Sequence, residues 1–108
     1  MQIKFKRQLI FITILITACS TLQKFQPLQT DLTIVQQKFP DTAFPDLQNG
    51  YKLYKKNCSG CHALHYPNQY YAAQWDTILP KMYSKAKITN DTEQLHIKQY
   101  LYSKAKYK

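Results

Sequence analysis

The segment Cys58-Ser59-Gly60-Cys61-His62 constrains this chain more than any other part of its sequence. It brings two thiols and an imidazole together within five consecutive residues. The whole chain has 108 residues, so a single small domain is expected. Domains of this size bury a modest core and often depend on a metal, disulfides or a cofactor for stability. What this segment binds therefore decides what the chain can fold around.

A Cys-x-x-Cys-His segment is the attachment signal of a c-type haem. In that chemistry the two thiols add across the vinyl groups of the haem, and the adjacent histidine becomes an axial ligand of the iron. Covalent attachment keeps the cofactor in place although a small domain cannot fully enclose it. The sequence therefore predicts one covalently bound haem c, held by Cys58, Cys61 and His62.

Three other uses of the two thiols remain open from the residues alone. A zinc ion needs two further ligands, and His65 and His96 could serve, although their spacing matches no common zinc pattern. A thioredoxin-like dithiol needs a βαβ setting, and no segment shows the alternating pattern of a strand. A plain structural disulfide is the third alternative.

The N-terminus has the pattern of an export signal. Lys4, Lys6 and Arg7 precede an almost wholly apolar run over residues 9–18. That run is too short to span a bilayer comfortably, because a spanning helix needs roughly 20 apolar residues. We therefore predict a signal peptide over residues 1–18, with a retained single-span anchor as the alternative.

The signal ends in Ile16-Thr17-Ala18-Cys19, which resembles the lipobox of bacterial lipoproteins. In that family the cysteine receives diacylglycerol and becomes the new N-terminus. The resemblance implies lipidation of Cys19 and a protein anchored in the cell membrane or outer membrane, facing the periplasm. An ordinary signal beside an unrelated cysteine is the alternative. Residues 19–43 are polar and Gln-rich, without a clean helical stripe, and are predicted to be a lipidated tether, with a short segment laid against the domain as an alternative; residues 44–108 would form the domain.

The net charge of the chain without its signal limits the classes of partner that are expected. Removing the signal leaves 12 Lys against 6 acidic residues, a net charge of +6. No arginine remains, and arginine is the preferred side chain for reading base edges, so nucleic acid is not expected. Redox partner proteins with an acidic surface, or the membrane surface, are the expected partners. The candidate docking lysines, which could equally be an ordinary solvated face, are Lys52, Lys55, Lys56, Lys81, Lys85 and Lys87.

Three segments of the domain predict helices. Asp46 is positioned to cap a helix from Leu47 towards Asn57, in which Gly50 suggests close packing against another element. A second candidate covers residues 70–79. Thr89-Asn90-Asp91 forms a capping cluster before a third helix over residues 92–104.

The residues around the motif carry a family resemblance. The run from Gly50 to Asn57 resembles the first helix of small cytochromes c, and Trp75-x-x-Ile78-Leu79-x-x-Met82 and Ile97-x-x-Tyr100-Leu101 resemble the rest of that domain. The resemblance covers residues 47–106. It implies a small all-α, cytochrome c-like fold of about three helices around one haem, whose first and last helices cross. It also implies a monomeric electron carrier that is not an enzyme.

The sixth ligand of the iron is a separate question. Met82 is the only methionine left once the signal is removed, and a thioether ligand raises the potential of a c-type haem. Met82 lies seven residues after Trp75, so on a continuous helix Trp75, Leu79 and Met82 would share one face. Pro80 disfavours helix at Leu79, and the alternative prediction places Met82 in a turn just beyond the second helix. His65, His96 and an open iron are the alternatives. The carbonyl of Pro67 is a candidate acceptor for His62.

Two further functions remain open. An open iron would make the chain a ligand-binding or sensory haem protein, which carbon monoxide binding would reveal. A stable complex with a catalytic partner would make it the electron-exit subunit of a larger redox enzyme.

Overall fold

The computed structural model describes residues 23–58 and 63–107. These residues form four α-helices and one short 3-10 helix: α1 (Gln29–Val35), α2 (Phe44–Cys58), the 3-10 helix (Pro67–Gln69), α3 (Ala72–Ala86) and α4 (Asp91–Lys104). Within these ranges there is no strand, and one isolated bridge joins extended backbone. The predicted all-α class is confirmed. The predictions for Cys19, Cys61 and His62 concern residues outside the described ranges.

Helix α2 begins earlier than the sequence predicts. It starts at Phe44, so Asp46 lies inside its first turn and is not the cap. The Asp46 carboxylate accepts a hydrogen bond from the backbone N–H of Ala43 at 2.8 Å. A negative charge in the first turn also favours the helix dipole. The prediction of Asp46 as the capping residue is therefore wrong, although the carboxylate still stabilises this end of the helix.

Gly50 sets the closest approach between α2 and α4. A Cβ added at Gly50 would lie 2.0 Å from the carbonyl oxygen of His96 and 2.8 Å from the Cβ of Tyr100. Only a residue without a side chain allows the two backbones to cross at this distance. Tyr54 and Tyr100, both fully buried, pack beside the crossing with ring centroids 5.8 Å apart. The crossing of the first and last helices of the domain, implied by the resemblance, is present.

Helix α3 does not stop at Pro80. It runs on to Ala86 and contains Pro80 in its interior, so the prediction that Met82 lies in a turn beyond the helix is wrong. Proline removes one backbone donor and disfavours helix at the preceding residue. Here the buried side chains of Trp75 and Leu79 fix the helix on the core on the N-terminal side of the proline. Tertiary packing thus overrides the local preference.

Helix α4 is the centre of the molecule. Asn90 caps it as predicted, because its side-chain oxygen accepts from the backbone N–H of Glu93 at 3.0 Å. The second half of the helix is buried almost all round, since α1, α2 and α3 each pack against α4. The buried residues of α4 are Ile97, Gln99, Tyr100, Leu101, Tyr102 and Ser103.

The segment before α2 is in contact with the domain. Val35 of α1 is 1% exposed and belongs to the core. The hydroxyl of Tyr100 donates to the carbonyl of Phe25 at 2.6 Å, and Gln99 Nε2 donates to the Thr42 hydroxyl at 3.0 Å. Residues 25–42 therefore pack on α4, although they lie inside the range that the sequence assigns to a tether.

A buried ion pair also joins this segment to α4. Lys104 Nζ lies 2.9 Å from Asp31 Oδ2, with the side chains only 7% and 12% exposed. Replacing Lys104 by glutamine leaves a buried carboxylate without its cation, and we expect it to lower the free energy of unfolding by about 3 kcal/mol. Chemical denaturation checks this.

Lys98→Gln is the matched control, because Lys98 lies on the same helix and pairs at 2.8 Å with the exposed Asp76. Exposed pairs contribute up to about 1 kcal/mol, so this variant should stay close to the parent protein. Equal losses in the two variants would contradict the assignment of a buried pair.

The buried tyrosines predict a loss of stability at high pH. Burial raises the pKa of Tyr54, Tyr83 and Tyr100, and burial together with the hydrogen bond to Asp76 raises the pKa of Tyr102 to about 12. A raised folded-state pKa means that the fold favours the neutral phenol. The contribution of the neutral phenol to stability is complete below pH 10.0, the pKa of tyrosine in the unfolded chain, and is lost as pH rises above that value.

We therefore expect the denaturation midpoint to stay constant from about pH 7 to pH 9 and to fall by about pH 11. Tyr100→Phe, which has no proton to lose, should make the alkaline fall shallower. A midpoint at high pH that equals the neutral value would contradict this prediction.

Candidate functional site

One cleft brings together residues that the sequence assigned to the haem site. Cys58, the last residue of α2, and Met82, on α3, both line a cleft of about 300 Å³. Cys58 is 7% exposed and Met82 is half-buried. Ile78 and Ala86 add apolar wall from α3. The cleft thus has two sulfur atoms and a mainly apolar lining.

The end of α2 is held against α3 by aromatic packing. The ring of Tyr54 meets that of Trp75 edge-on, with centroids 6.3 Å apart. Both side chains are fully buried, so the last turn of α2 cannot move away from α3 without exposing them. This contact places Cys58 at the cleft.

The chain that follows the Cys-x-x-Cys-His segment is fixed by two hydrogen bonds. The hydroxyl of Tyr54 donates to the carbonyl of His65 at 2.6 Å, and Trp75 Nε1 donates to the carbonyl of Pro67 at 3.1 Å. The Pro67 carbonyl, a candidate acceptor for His62, therefore accepts from Trp75. Because Tyr54 is on α2 and Trp75 on α3, residues 65–67 are tied to both helices that line the cleft. The described residues on either side of the attachment segment, Cys58 and His65, are thus held in fixed positions.

Met82 presents the one thioether of the described residues. It lies seven residues after Trp75 on a continuous helix, so the two residues and Leu79 share one face of α3. Trp75 and Leu79 are buried in the core, and Met82 extends the same face to the cleft. The predicted shared face is confirmed.

The two other histidines have their own partners. His96 lies at the crossing of α2 and α4, with Nδ1 2.7 Å from Asn49 Nδ2 and Nε2 3.4 Å from Asp46 Oδ1. His65 Nδ1 lies 3.0 Å from Gln69 Oε1. Neither histidine is among the described residues that line the cleft.

The donors present suit the group that the sequence predicts. Among residues 23–58 and 63–107, no three His, Cys, Asp or Glu side chains come together as a metal site would require. An apolar cleft between a buried cysteine and a thioether is suited to a planar, largely apolar cofactor whose iron accepts soft ligands.

Lysines form part of the same cleft. Lys81 and Lys85 line it, and both residues are exposed. They are one turn apart on α3, so they share an edge of the cleft. From the sequence both were candidate docking lysines, but their position beside the site and the place of Ala86 in its wall were not predicted. A continuous helix through Pro80 would have indicated the wall, since residues 78, 82, 85 and 86 then fall on one side of α3.

One of the comparisons with known proteins identifies a family for this chain. A model of the family described as Cytochrome c matches residues 47–108, more than half of the chain. No curated protein and no solved structure gives a significant match.

Within residues 23–58 and 63–107, no helix is long and apolar enough to cross a bilayer.

Proposed function

The chain belongs to the cytochrome c family, and from that membership we propose that it is a lipid-anchored, monohaem electron carrier with His62 and Met82 as axial ligands. The family itself establishes covalently bound haem c and haem-based electron transfer. The ligand pair, the anchor on Cys19 and the role as a carrier that is not an enzyme are the proposal.

The observation that carries the ligand assignment is the shared cleft of Cys58 and Met82. Cys58 ends α2, and Cys61 and His62 follow within four residues, so the attachment segment starts at the wall of the cleft. Met82 reaches the cleft from a different helix. His62 and Met82, which come from different parts of the chain, would both bind the haem iron, and the thioether would be a soft ligand.

Each part of the cleft has a separate task. When bound, the haem supplies the one-electron iron couple. The thioether of Met82 favours the reduced iron and so raises the potential. Ile78 and Ala86 exclude water from one side of the site, and a lower local polarity also shifts the potential upward.

The proposed redox partner carries an acidic docking surface. Lys81 and Lys85 lie at the cleft, and Lys52, Lys55 and Lys56 are exposed on α2, which ends there. Opposite charge would speed the encounter and orient the cleft towards the partner, and this effect would weaken with salt. Contacts of this kind are small and transient.

The proposed location is the periplasmic face of the cell membrane or outer membrane. Its support is the sequence Ile16-Thr17-Ala18-Cys19 directly after a basic and apolar signal. A diacyl group on Cys19 supplies two chains, which suffice for stable anchoring where one chain does not.

The visible spectrum of the reduced, membrane-extracted protein, with and without carbon monoxide, tests the proposal. A c-type haem spectrum that carbon monoxide leaves unchanged is the expected result, because both axial positions are then filled. A spectrum that shifts with carbon monoxide would mean an open iron and would favour the ligand-binding function. Absence of haem would overturn the proposal.

A further inference from the structure

The docked N-terminal segment shortens the link between the proposed lipid and the domain. Phe25 is held by the hydroxyl of Tyr100, and its ring meets that of Tyr66 edge-on at 5.4 Å. Five residues lie between Cys19 and Phe25, and the six chain steps that join the two span at most about 22 Å when fully extended. A tether of all 25 residues from 19 to 43 would reach much further. The point where the chain enters the domain must therefore stay near the bilayer.

An exposed set of apolar and basic side chains lies at this end of the molecule. We call Lys24, Leu28, Tyr71, Lys106 and Tyr107 the anchor-side patch. Leu28, Tyr71 and Tyr107 are 55%, 39% and 51% exposed, and they are three of the five large hydrophobic residues that are exposed among the described residues. Lys24 and Lys106 are exposed as well.

Contacts of Leu28, Tyr71, Lys106 and Tyr107 place these four members of the patch around the end of α4. The backbone N–H of Leu28 donates to Asp31, which pairs with Lys104. Tyr71 forms a backbone bridge with Lys106, whose ammonium lies 5.2 Å from the centre of the Tyr71 ring.

Tyr107 folds back on the same end of α4, where its hydroxyl donates to the carbonyl of Tyr102 at 2.7 Å. Phe25, the entry point, is held two residues earlier on this helix by Tyr100. The entry point at Phe25 and the patch therefore lie at the same end of α4.

From these two observations we propose that the anchor-side patch rests on the headgroups of an anionic bilayer and orients the domain. Tyrosine and leucine side chains enter the interfacial layer, and lysines attract anionic lipids. The inference rests on the proposed anchor at Cys19, which supplies the proximity; the patch supplies the orientation. The occupant of the patch is the bilayer, because the length of the link brings no other surface so near.

This orientation leaves the haem cleft accessible. The cleft residue Met82 adjoins Tyr83, whose hydroxyl donates to the carbonyl of Gln94 near the start of α4. The patch surrounds residues 102–107, at the other end of that helix. Ten residues of helix between Gln94 and Lys104 span about 15 Å. A partner can therefore reach the cleft while the patch is on the membrane.

Amine labelling of the lipidated, haem-loaded protein tests the orientation. The protein is placed in vesicles of phosphatidylcholine and phosphatidylglycerol, and the rate at which each lysine reacts with a water-soluble reagent is compared with the rate in detergent. Lys24 and Lys106 should react about fivefold more slowly in vesicles, as expected for lysines held at an anionic surface. Lys81 and Lys85 serve as internal controls and should react equally in both.

Two leucine variants provide the matched comparison. Leu28→Ser removes an apolar member of the patch at the N-cap of α1, where serine is well tolerated, and should reduce the protection of Lys24 and Lys106. Leu95→Ser makes the same change at a leucine that is 43% exposed near the start of α4, and should leave the protection unchanged.

The other outcomes overturn the proposal in distinguishable ways. If all four lysines are labelled equally while mass spectrometry shows acyl chains on the N-terminal peptide, the lipid anchor is retained as a proposal and the membrane-bound patch is refuted. Equally slow labelling of Lys24 and Lys106 in vesicles and in detergent would mean that the anionic bilayer is not what covers the patch. An N-terminal peptide without acyl chains would refute the anchor and the orientation together.

Discussion

Replacing Met82 by leucine is expected to convert the reduced protein from a form that does not bind carbon monoxide into one that does. Leucine has nearly the volume of methionine, so the cleft stays filled while the thioether is lost. Loss of a methionine ligand should also lower the midpoint potential, by on the order of 0.1 V, since axial ligands are the main determinant of haem potential. Potentiometric titration and the reduced spectrum with carbon monoxide check both effects.

Ile78→Ala is the matched control for this variant. Ile78 lines the same cleft from the same helix but has no atom that could bind iron. It should change the potential slightly through solvent access and leave the reduced protein unreactive towards carbon monoxide. If Met82→Leu also leaves the reduced protein unreactive towards carbon monoxide, Met82 is a wall residue and another side chain, such as a histidine, holds the sixth position.

The second large effect concerns stability. Gly50→Ala is expected to lower the free energy of unfolding by about 3 kcal/mol, as forced overpacking of a close contact does. The added Cβ would meet the backbone carbonyl of His96 at 2.0 Å, and a backbone atom of a packed helix cannot move aside as a flexible side chain can. Alanine's better helix propensity, worth up to about 1 kcal/mol, offsets only part of the cost.

Gln48→Ala isolates the propensity term, because Gln48 is exposed on the same helix, two residues earlier. Urea denaturation of the haem-loaded proteins, followed by circular dichroism, should show Gln48→Ala at or above the parent stability and Gly50→Ala well below it. A Gly50→Ala protein as stable as the parent would mean that α2 and α4 do not cross at this glycine.

Part of the candidate site was predictable from the sequence. Features that depend on consecutive residues were predictable, and features that depend on tertiary packing were not. The attachment segment is local, since its chemistry depends on five consecutive residues, so the sequence alone indicated haem c and the family match confirmed it. The assignment of Cys58, Cys61 and His62 to that attachment stays a prediction. The length of α3, in contrast, did not follow from the neighbouring residues alone. Proline predicts a helix end, yet α3 continues to Ala86, with Trp75 and Leu79 buried before the proline and Met82 packed against the core after it.

By itself, the sequence determined the helical class, the capping of α4 by Asn90 and the need for glycine at position 50. Each of these depends on a residue type that suits a specific backbone environment. The tertiary structure alone decided that residues 25–42 pack on α4, because Val35, the ion pair of Asp31 with Lys104 and the bond from Tyr100 to Phe25 join residues far apart in the chain. Polar composition cannot reveal such contacts, since the free energy that holds the segment down comes from partners at the opposite end of the sequence.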